Sequence, residues 1–480
     1  MNTDKLQEKT EERIPWGLLW ALFFGYTAGV ALLVQLVFLP YVFPAWHAGD
    51  GLLVGEDWLT FHKYAQALAE KIHKEGWSVW SLKPDGGPPV GVVGAVYALV
   101  APKPWALIPI NAALHASATI VLLRIVRFFL PGWRRAIWCV LPFLLFPSAM
   151  TWYTQIHKDG YSILGNYLFL YGWLLLAQAK ATEHGKTALR SAACILSGVF
   201  LVWSVRIYLV QTLQVVAGIF AALITGIIGV KALKERWPWR GAVVLVVLAW
   251  VMVFGMNPFK KKELSLEPLL GIAIAAAQDP MDGSVSETGQ ATKDQQEHPY
   301  VLLTEEWMRD EWLPGWLDRI FFDIAYRREQ FRTIYRGRTS IDVHVGFRSV
   351  WDVLAYVPRA ALIAFLAPFP EQWFGEGSRA PNTIMRRIAG LEMLVVYPCL
   401  GLTIVAGWFW RQRIEMWMIL FFSSFIMVAH ALVVNNVGAL YRFRYGYLML
   451  LVALGIAGGF KTYQQYVSRR SASPKREAEA

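Results

Sequence analysis

Residues 16–39 read WGLLWALFFGYTAGVALLVQLVFL, 24 consecutive positions without an Asp, Glu, Lys or Arg. A hydrocarbon core about 30 Å thick is crossed by about 20 helical residues. In lipid every backbone N–H and C=O must be satisfied within the segment, so such a run is read as a transmembrane α-helix. The stretch before it, residues 1–14, is polar and mixed in charge, and no small-residue cleavage pattern follows the run. The run is therefore expected to be a retained span rather than a removed signal.

Nine further apolar runs lie near 106–128, 136–152, 161–179, 190–208, 209–230, 241–256, 389–409, 415–434 and 440–460. Hydrophobic residues make up 56% of the 480-residue chain and charged residues only 17%. That balance suits lipid rather than several soluble domains. The expected fold class is an all-α polytopic membrane protein with about ten transmembrane helices. Trp16, Trp20, Trp105, Trp152, Trp239, Trp408 and Trp410 sit at run ends, where indole rings prefer the headgroup level.

The net charge of +11 has a topological explanation. Arg124, Arg127, Arg134 and Arg135 lie between the second and third runs, and Lys180, Lys186 and Arg190 follow the fourth. Lys231, Lys234, Arg236 and Arg240 follow the sixth, Arg411 and Arg413 the eighth, and Lys461, Arg469, Arg470, Lys475 and Arg476 lie in the tail. With ten spans all of these fall on one face, which the positive-inside rule makes cytoplasmic together with both termini. Basic charge so placed gives no reason to expect nucleic acid as a partner. Cys139, Cys194 and Cys399 all lie inside apolar runs, without zinc or redox spacing, and read as small buried hydrophobes.

The segments divide the chain into a cytoplasmic N-terminus (1–14), a transmembrane module (15–256) with a long first outer loop (40–105), and an outer segment (257–388). C-terminal spans (389–460) and a cytoplasmic tail (461–480) follow. The first outer loop should hold a helix from Trp58 to His73, because Leu59, Tyr64, Leu68 and Ile72 recur at near-helical spacing. The apolar pieces 90–101 and 351–369 are short or interrupted by proline and charge, and are expected to be interfacial helices.

Ionisable groups beside membrane spans are costly and mark functional candidates. Asp50, Glu56 and Asp57 lie in the first outer loop; His157, Lys158 and Asp159 lie between the third and fourth spans. Parity puts both groups on the outer face. Asp57 can cap the following helix, or act as a general base whose pKa is raised at the lipid boundary. Lys158 can snorkel and Asp159 can cap a span, or the two can meet a phosphate or a sugar. Arg206, and Arg442 with Arg444 in Tyr441-Arg-Phe-Arg-Tyr445, stand on the side where topology does not ask for cations. Phosphate binding is the natural role for their guanidinium forks, with lipid headgroups the alternative. His430, Asn435 and Asn436 either line the same cavity or bond between helices.

The order of these elements resembles the GT-C fold class of membrane glycosyltransferases, which includes the protein O-mannosyltransferases and the lipid A aminoarabinose and galacturonic acid transferases. The matching residues are Gly55-Glu-Asp-Trp58, the turn Pro88-Pro-Val-Gly91, Phe146-Pro-Ser148 leading to Lys158-Asp-Gly160, Arg206 with Tyr208, and Tyr441-Arg-Phe-Arg-Tyr445. The likeness covers roughly 15–230 and 390–460.

The resemblance implies transfer of a sugar, with inversion, from a polyprenyl-phosphate-linked donor to a lipid, glycan or protein acceptor. The site would lie on the periplasmic face of a bacterial inner membrane. Asp57 and Asp159 would be catalytic, and Lys158, Arg206, Arg442 and Arg444 would hold donor phosphate. Glu56, Asp50, His157 and Tyr441 would touch substrate. No metal ligands and no cofactor are assigned, although a divalent metal is compatible with the resemblance. Rival readings are a polysaccharide polymerase or O-antigen ligase-like enzyme, suggested by the arginines of 327–348, and a non-enzymatic lipid or solute transporter.

Overall fold

A computed structural model describes residues 14–477 apart from 56, 85–86, 181–183, 235–237, 257–305, 334–337 and 378–379. All ten apolar runs are helical. Eight helices among the described residues are long and apolar enough to cross a membrane: Trp16–Val42, Pro104–Val126, Asp159–Ala177, His184–Val205, Ile207–Lys234, Ala380–Phe409, Ile414–Val433 and Val437–Arg470. This is the architecture of a multi-pass membrane protein.

The remaining two runs depart from the simple count. The third is broken into α5 (Trp133–Leu145) and α6 (Pro147–Tyr153), which meet at 64°. Its cause is local. Phe146 precedes a proline and is pushed out of the helical region to ψ 125°, and Pro147 then starts a new helix. If that pair is one span, the count reaches nine. The seventh run forms α10 (Trp239–Phe254), only 16 residues, or about 24 Å at 1.5 Å per residue. Where about ten spans were expected, eight helices among the described residues, or nine with that bent pair as one span, are long and apolar enough to cross.

The spans differ in what surrounds them. The first is only 28% buried and turns Leu18, Leu22 and Leu33 outward, which suits acyl chains. The spans 159–177 (α7) and 437–470 (within α15, Val437–Glu477) are 78% buried and form the middle of the bundle. α7 packs closely on α8 (His184–Val205). There a Cβ on Gly165 would lie 2.7 Å from the Gly198 carbonyl oxygen, so only glycine lets the backbones approach.

At one end of the bundle the basic connections gather. Arg124 and Arg127 lie over the Trp16 ring, Arg413 donates to the Phe128 carbonyl, and Gln178 donates to Glu415 at 2.7 Å. The first outer loop occupies the other end. There a small hairpin (His47–Gly49 with Leu52–Leu53) leads into α2 (Asp57–Glu75), which packs on α3 (Val90–Leu99). With ten residues, α3 cannot span.

The outer loop has its own hydrophobic cluster, built from Trp58, Phe61, Leu68 and Ile72 against Val90, Val93 and Tyr97. Ile156, from the turn between α6 and α7, completes it. That turn is also tied polar to polar. Asn111 donates to the Tyr153 and Gln155 carbonyls at 3.1 and 2.9 Å, and Gln155 accepts from Leu53 N at 3.1 Å. The first outer loop and the 154–158 turn therefore lie at the same end of the bundle.

In the outer segment, α11 (Gly315–Thr333) and α12 (Val350–Leu366) pack on α14 (Ile414–Val433). The Ser349 and Asp352 side chains form a capping box that starts α12.

Candidate functional site

Six ionisable side chains from four places in the sequence, Asp57, the turn His157-Lys158-Asp159, Arg206 and Arg442, converge where the outer loop meets the bundle. Asp159 is the first residue of α7, where the helix dipole favours negative charge. Its carboxylate is 2% exposed and accepts a hydrogen bond from the Arg206 guanidinium. Arg206 sits in the break between α8 and α9 (Ile207–Lys234), buried, with its guanidinium 4.6 Å from the centre of the Phe443 ring. His157 Nδ1 lies 2.5 Å from Asp159 Oδ2, and its Nε2 lies 3.0 Å from Arg442 Nη1. Arg442 also approaches Asp159 at 3.6 Å and Asp57 at 3.7 Å.

These partners set the protonation pattern. A guanidinium only donates, so His157 Nε2 turns a lone pair to Arg442, while Nδ1 faces both the Asp159 carboxylate and the Lys158 amide, which is 3.1 Å away. Burial, with Arg442 alongside, holds the His157 pKa below its ordinary value against the pull of Asp159. The ring is therefore neutral near pH 7. The raised pKa expected for Asp57 is not what the site gives: burial pushes the carboxyl up, but the charges of Arg442 and Lys158 outweigh it and hold the group below the usual carboxylate range. Asp57 is 46% exposed and stands at the edge of the cluster.

Lys158 is the cation left over. Among the described residues its amine has no hydrogen bond or ion pair, and it lies 5.8 Å from the centre of the Phe61 ring. Burial lowers the amine's pKa. Three cations (Lys158, Arg206, Arg442) thus face two carboxylates, one of which is fully engaged. The arrangement suits an anion placed between Lys158 and Arg442, within reach of Asp57.

Several expected members stand elsewhere. Arg444 is fully buried, and its Nη1 donates to the carbonyls of Ile363 (3.0 Å) and Ala364 in the last turn of α12. Arg442 and Arg444 were expected to act as a pair; residues two apart on a helix point about 200° from each other, and the two side chains have different partners. Tyr441 donates to Glu392 at 2.6 Å, so its hydroxyl faces away from the cluster. Asp50 pairs with Lys103 at 2.6 Å and faces His62 at 3.7 Å. Glu56 lies outside the described residues. Asn436 accepts from the Gly438 and Ala439 amides and caps α15, while His430 bonds the Ile426 carbonyl at 2.8 Å.

Sequence reasoning passed over Glu392, Asn111 and Gln155, which shape the site's surroundings, and met Ser148 only as part of the Phe146-Pro-Ser148 match. A lone acid in the apolar run 389–409 is the signal that could have found Glu392. No group of three or more His, Cys, Asp or Glu among the described residues is placed to hold a metal ion.

A cavity of about 1160 Å³ lies elsewhere in the bundle, between α12, α13 (Ala380–Phe409) and α14. Leu362, Phe365, Leu400, Ile404 and Leu420 line it, and none of the clustered charges does. It suits a hydrocarbon chain rather than the polar step of a reaction. No protein family matches this chain, and no curated protein or solved structure matches it either.

Proposed function

We propose that this chain is a membrane glycosyltransferase that moves a sugar from a polyprenyl-phosphate carrier to an acceptor, a lipid, glycan or protein, with inversion. The observation that carries this reading is the Lys158 amine beside Arg442, without a hydrogen bond or ion pair among the described residues, next to the half-exposed carboxylate of Asp57. A phosphate needs cations out of bulk water, and an attacking hydroxyl needs a base at an accessible edge.

On this reading the acceptor hydroxyl gives its proton to Asp57 as its oxygen attacks the anomeric carbon. The bond from that carbon to the carrier phosphate breaks, and its electron pair leaves with the polyprenyl phosphate. Lys158 and Arg442 compensate the charge on the departing phosphate. Asp159, buried against Arg206 and His157, serves as a positioning residue rather than as a base. Arg206 acts through Asp159. The bundle end that gathers Arg124, Arg127 and Arg413 is taken as cytoplasmic, which places the cluster on the periplasmic side of a bacterial inner membrane.

Three of the arginines of 327–348, on which the polymerase or ligase alternative rests, are engaged within the fold. Arg328 donates to the Val345 and Leu432 carbonyls, Arg332 pairs with Glu329 and Arg348 with Glu306. Binding of polyprenyl phosphate to the purified protein in nanodiscs tests the proposal. Saturable binding is expected, weakened in Lys158→Ala by about 1.5–3 kcal/mol, as for hydrogen bonds to charged groups. That corresponds to roughly 10- to 150-fold in affinity. Equal affinity of the native and Lys158→Ala proteins, or no saturable binding, overturns it.

A further inference from the structure

Glu392 sits in the middle of an apolar stretch, Gly390-Leu-Glu-Met-Leu394, in a span where a carboxylate is expensive. It is 5% exposed and, among the described residues, has no cationic partner. Three donors surround it instead. Ser148 N reaches Oε1 at 2.9 Å, and Ser148 Oγ and Tyr441 Oη each reach Oε2 at 2.6 Å.

Those donors belong to two separate elements. Ser148 stands at the start of α6, the short helix that leads through Tyr153 into the His157–Asp159 turn. Tyr441 immediately precedes Arg442 on α15. One carboxylate on a third helix, α13, therefore joins the element carrying His157, Lys158 and Asp159 to the element carrying Arg442. The 64° break at Phe146–Pro147 turns α6 out of line with α5, and the bonds from Ser148 to Glu392 tie its first turn to α13.

We infer that Glu392 is a positioning residue that fixes the separation of Arg442 from the 157–159 turn through Tyr441 and Ser148. The inference concerns the geometry of the cluster. It rests on the glycosyltransferase reading only for its ligand-binding arm.

The test reads the local field without a ligand. Lys158→Cys is made in a background lacking Cys139, Cys194 and Cys399, and its reaction with a charged methanethiosulfonate is followed from pH 6 to 9. Nearby cations raise the thiolate fraction, so the midpoint should lie below the ordinary thiol value of about 8.5. Arg442→Ala sets the scale by raising that midpoint. Tyr441→Phe, which removes one hydroxyl, and Glu392→Gln are each expected to raise it in the same direction. A rise of one pH unit slows the reaction at pH 7 about tenfold.

If the midpoint is unchanged in Tyr441→Phe while its melting temperature falls, Glu392 is merely a structural tie and the inference fails. It also fails if Arg442→Ala leaves the midpoint unmoved. Should Glu392→Gln not fold, Tyr441→Phe alone decides. In proteins with Lys158 intact, polyprenyl phosphate should bind Tyr441→Phe several-fold more weakly than the native chain. Absence of binding by the native chain overturns the proposed function, while the thiol midpoints still decide the role of Glu392.

Discussion

His157 lies between Asp159 and Arg442, with Nδ1 2.5 Å from the carboxylate and Nε2 3.0 Å from the guanidinium. A neutral ring can bridge an acceptor and a donor in this way, whereas a protonated ring would set a second cation against Arg442. The cluster therefore depends on His157 staying neutral.

That dependence fixes the sign of a pH effect. The folded-state pKa of His157 is below the unfolded value of about 6.5. Below about pH 6.5 the unfolded chain takes up a proton that the folded chain refuses, so stability is lost as pH falls through that region. His62, also held low by burial, acts in the same direction. The melting temperature in detergent should fall from pH 7 to pH 5.5, and less steeply in His157→Gln. An equal slope in the two proteins contradicts the neutral-histidine assignment.

Asp159→Asn should be strongly destabilising, because it leaves Arg206 buried without its carboxylate. Breaking one side of a buried pair typically costs about 3–5 kcal/mol. The double variant Asp159→Asn with Arg206→Gln should recover part of the loss, since the unpaired charge is gone. Thermal melts of the two single variants and the double variant supply the coupling.

Asp57→Asn should separate activity from stability. Half-exposed, Asp57 contributes little to the fold, yet loss of a general base lowers turnover by roughly 10²–10⁴-fold. Sugar transfer from a polyprenyl-phosphate donor is the readout, alongside a melt within a degree or two of the native protein. Normal turnover in a folded Asp57→Asn protein removes the residue from the mechanism.

The two arginines of the last span should behave differently. Arg442→Ala is expected to weaken polyprenyl phosphate binding with a modest change in melting temperature. Arg444→Ala should lower the melting temperature, because the last carbonyls of α12 lose their donor, and leave the affinity of the folded protein unchanged. The reverse pattern would place the phosphate at Arg444.

Orientation is open to direct measurement. Single cysteines at Lys103, beside Asp50, and at Arg411, at the opposite end of the bundle, are introduced into the Cys-free background. An impermeant thiol reagent on intact spheroplasts should label position 103 and not 411. Labelling of 411 alone would invert the topology and move the site to the cytoplasmic face.

The sequence by itself determined where lipid lies. Twenty-odd apolar residues without charge can only be paired internally as helix, and every one of the ten runs is helical. It also named Asp57, His157, Lys158, Asp159, Arg206 and Arg442, because an ionisable group at a span end is costly wherever the chain goes. What it could not determine was which cations meet which carboxylates. Arg442 and Arg444 are equivalent as letters, and only their facing on a helix packed between α7 and α12 sends one to His157 and the other to backbone carbonyls. Nor could it assign Glu392 its partners, Ser148 and Tyr441, which lie 244 and 49 residues away. The expense of a buried charge is a local property and is visible in the sequence. The donors that offset it come from distant segments, and only tertiary packing brings them within hydrogen-bonding distance.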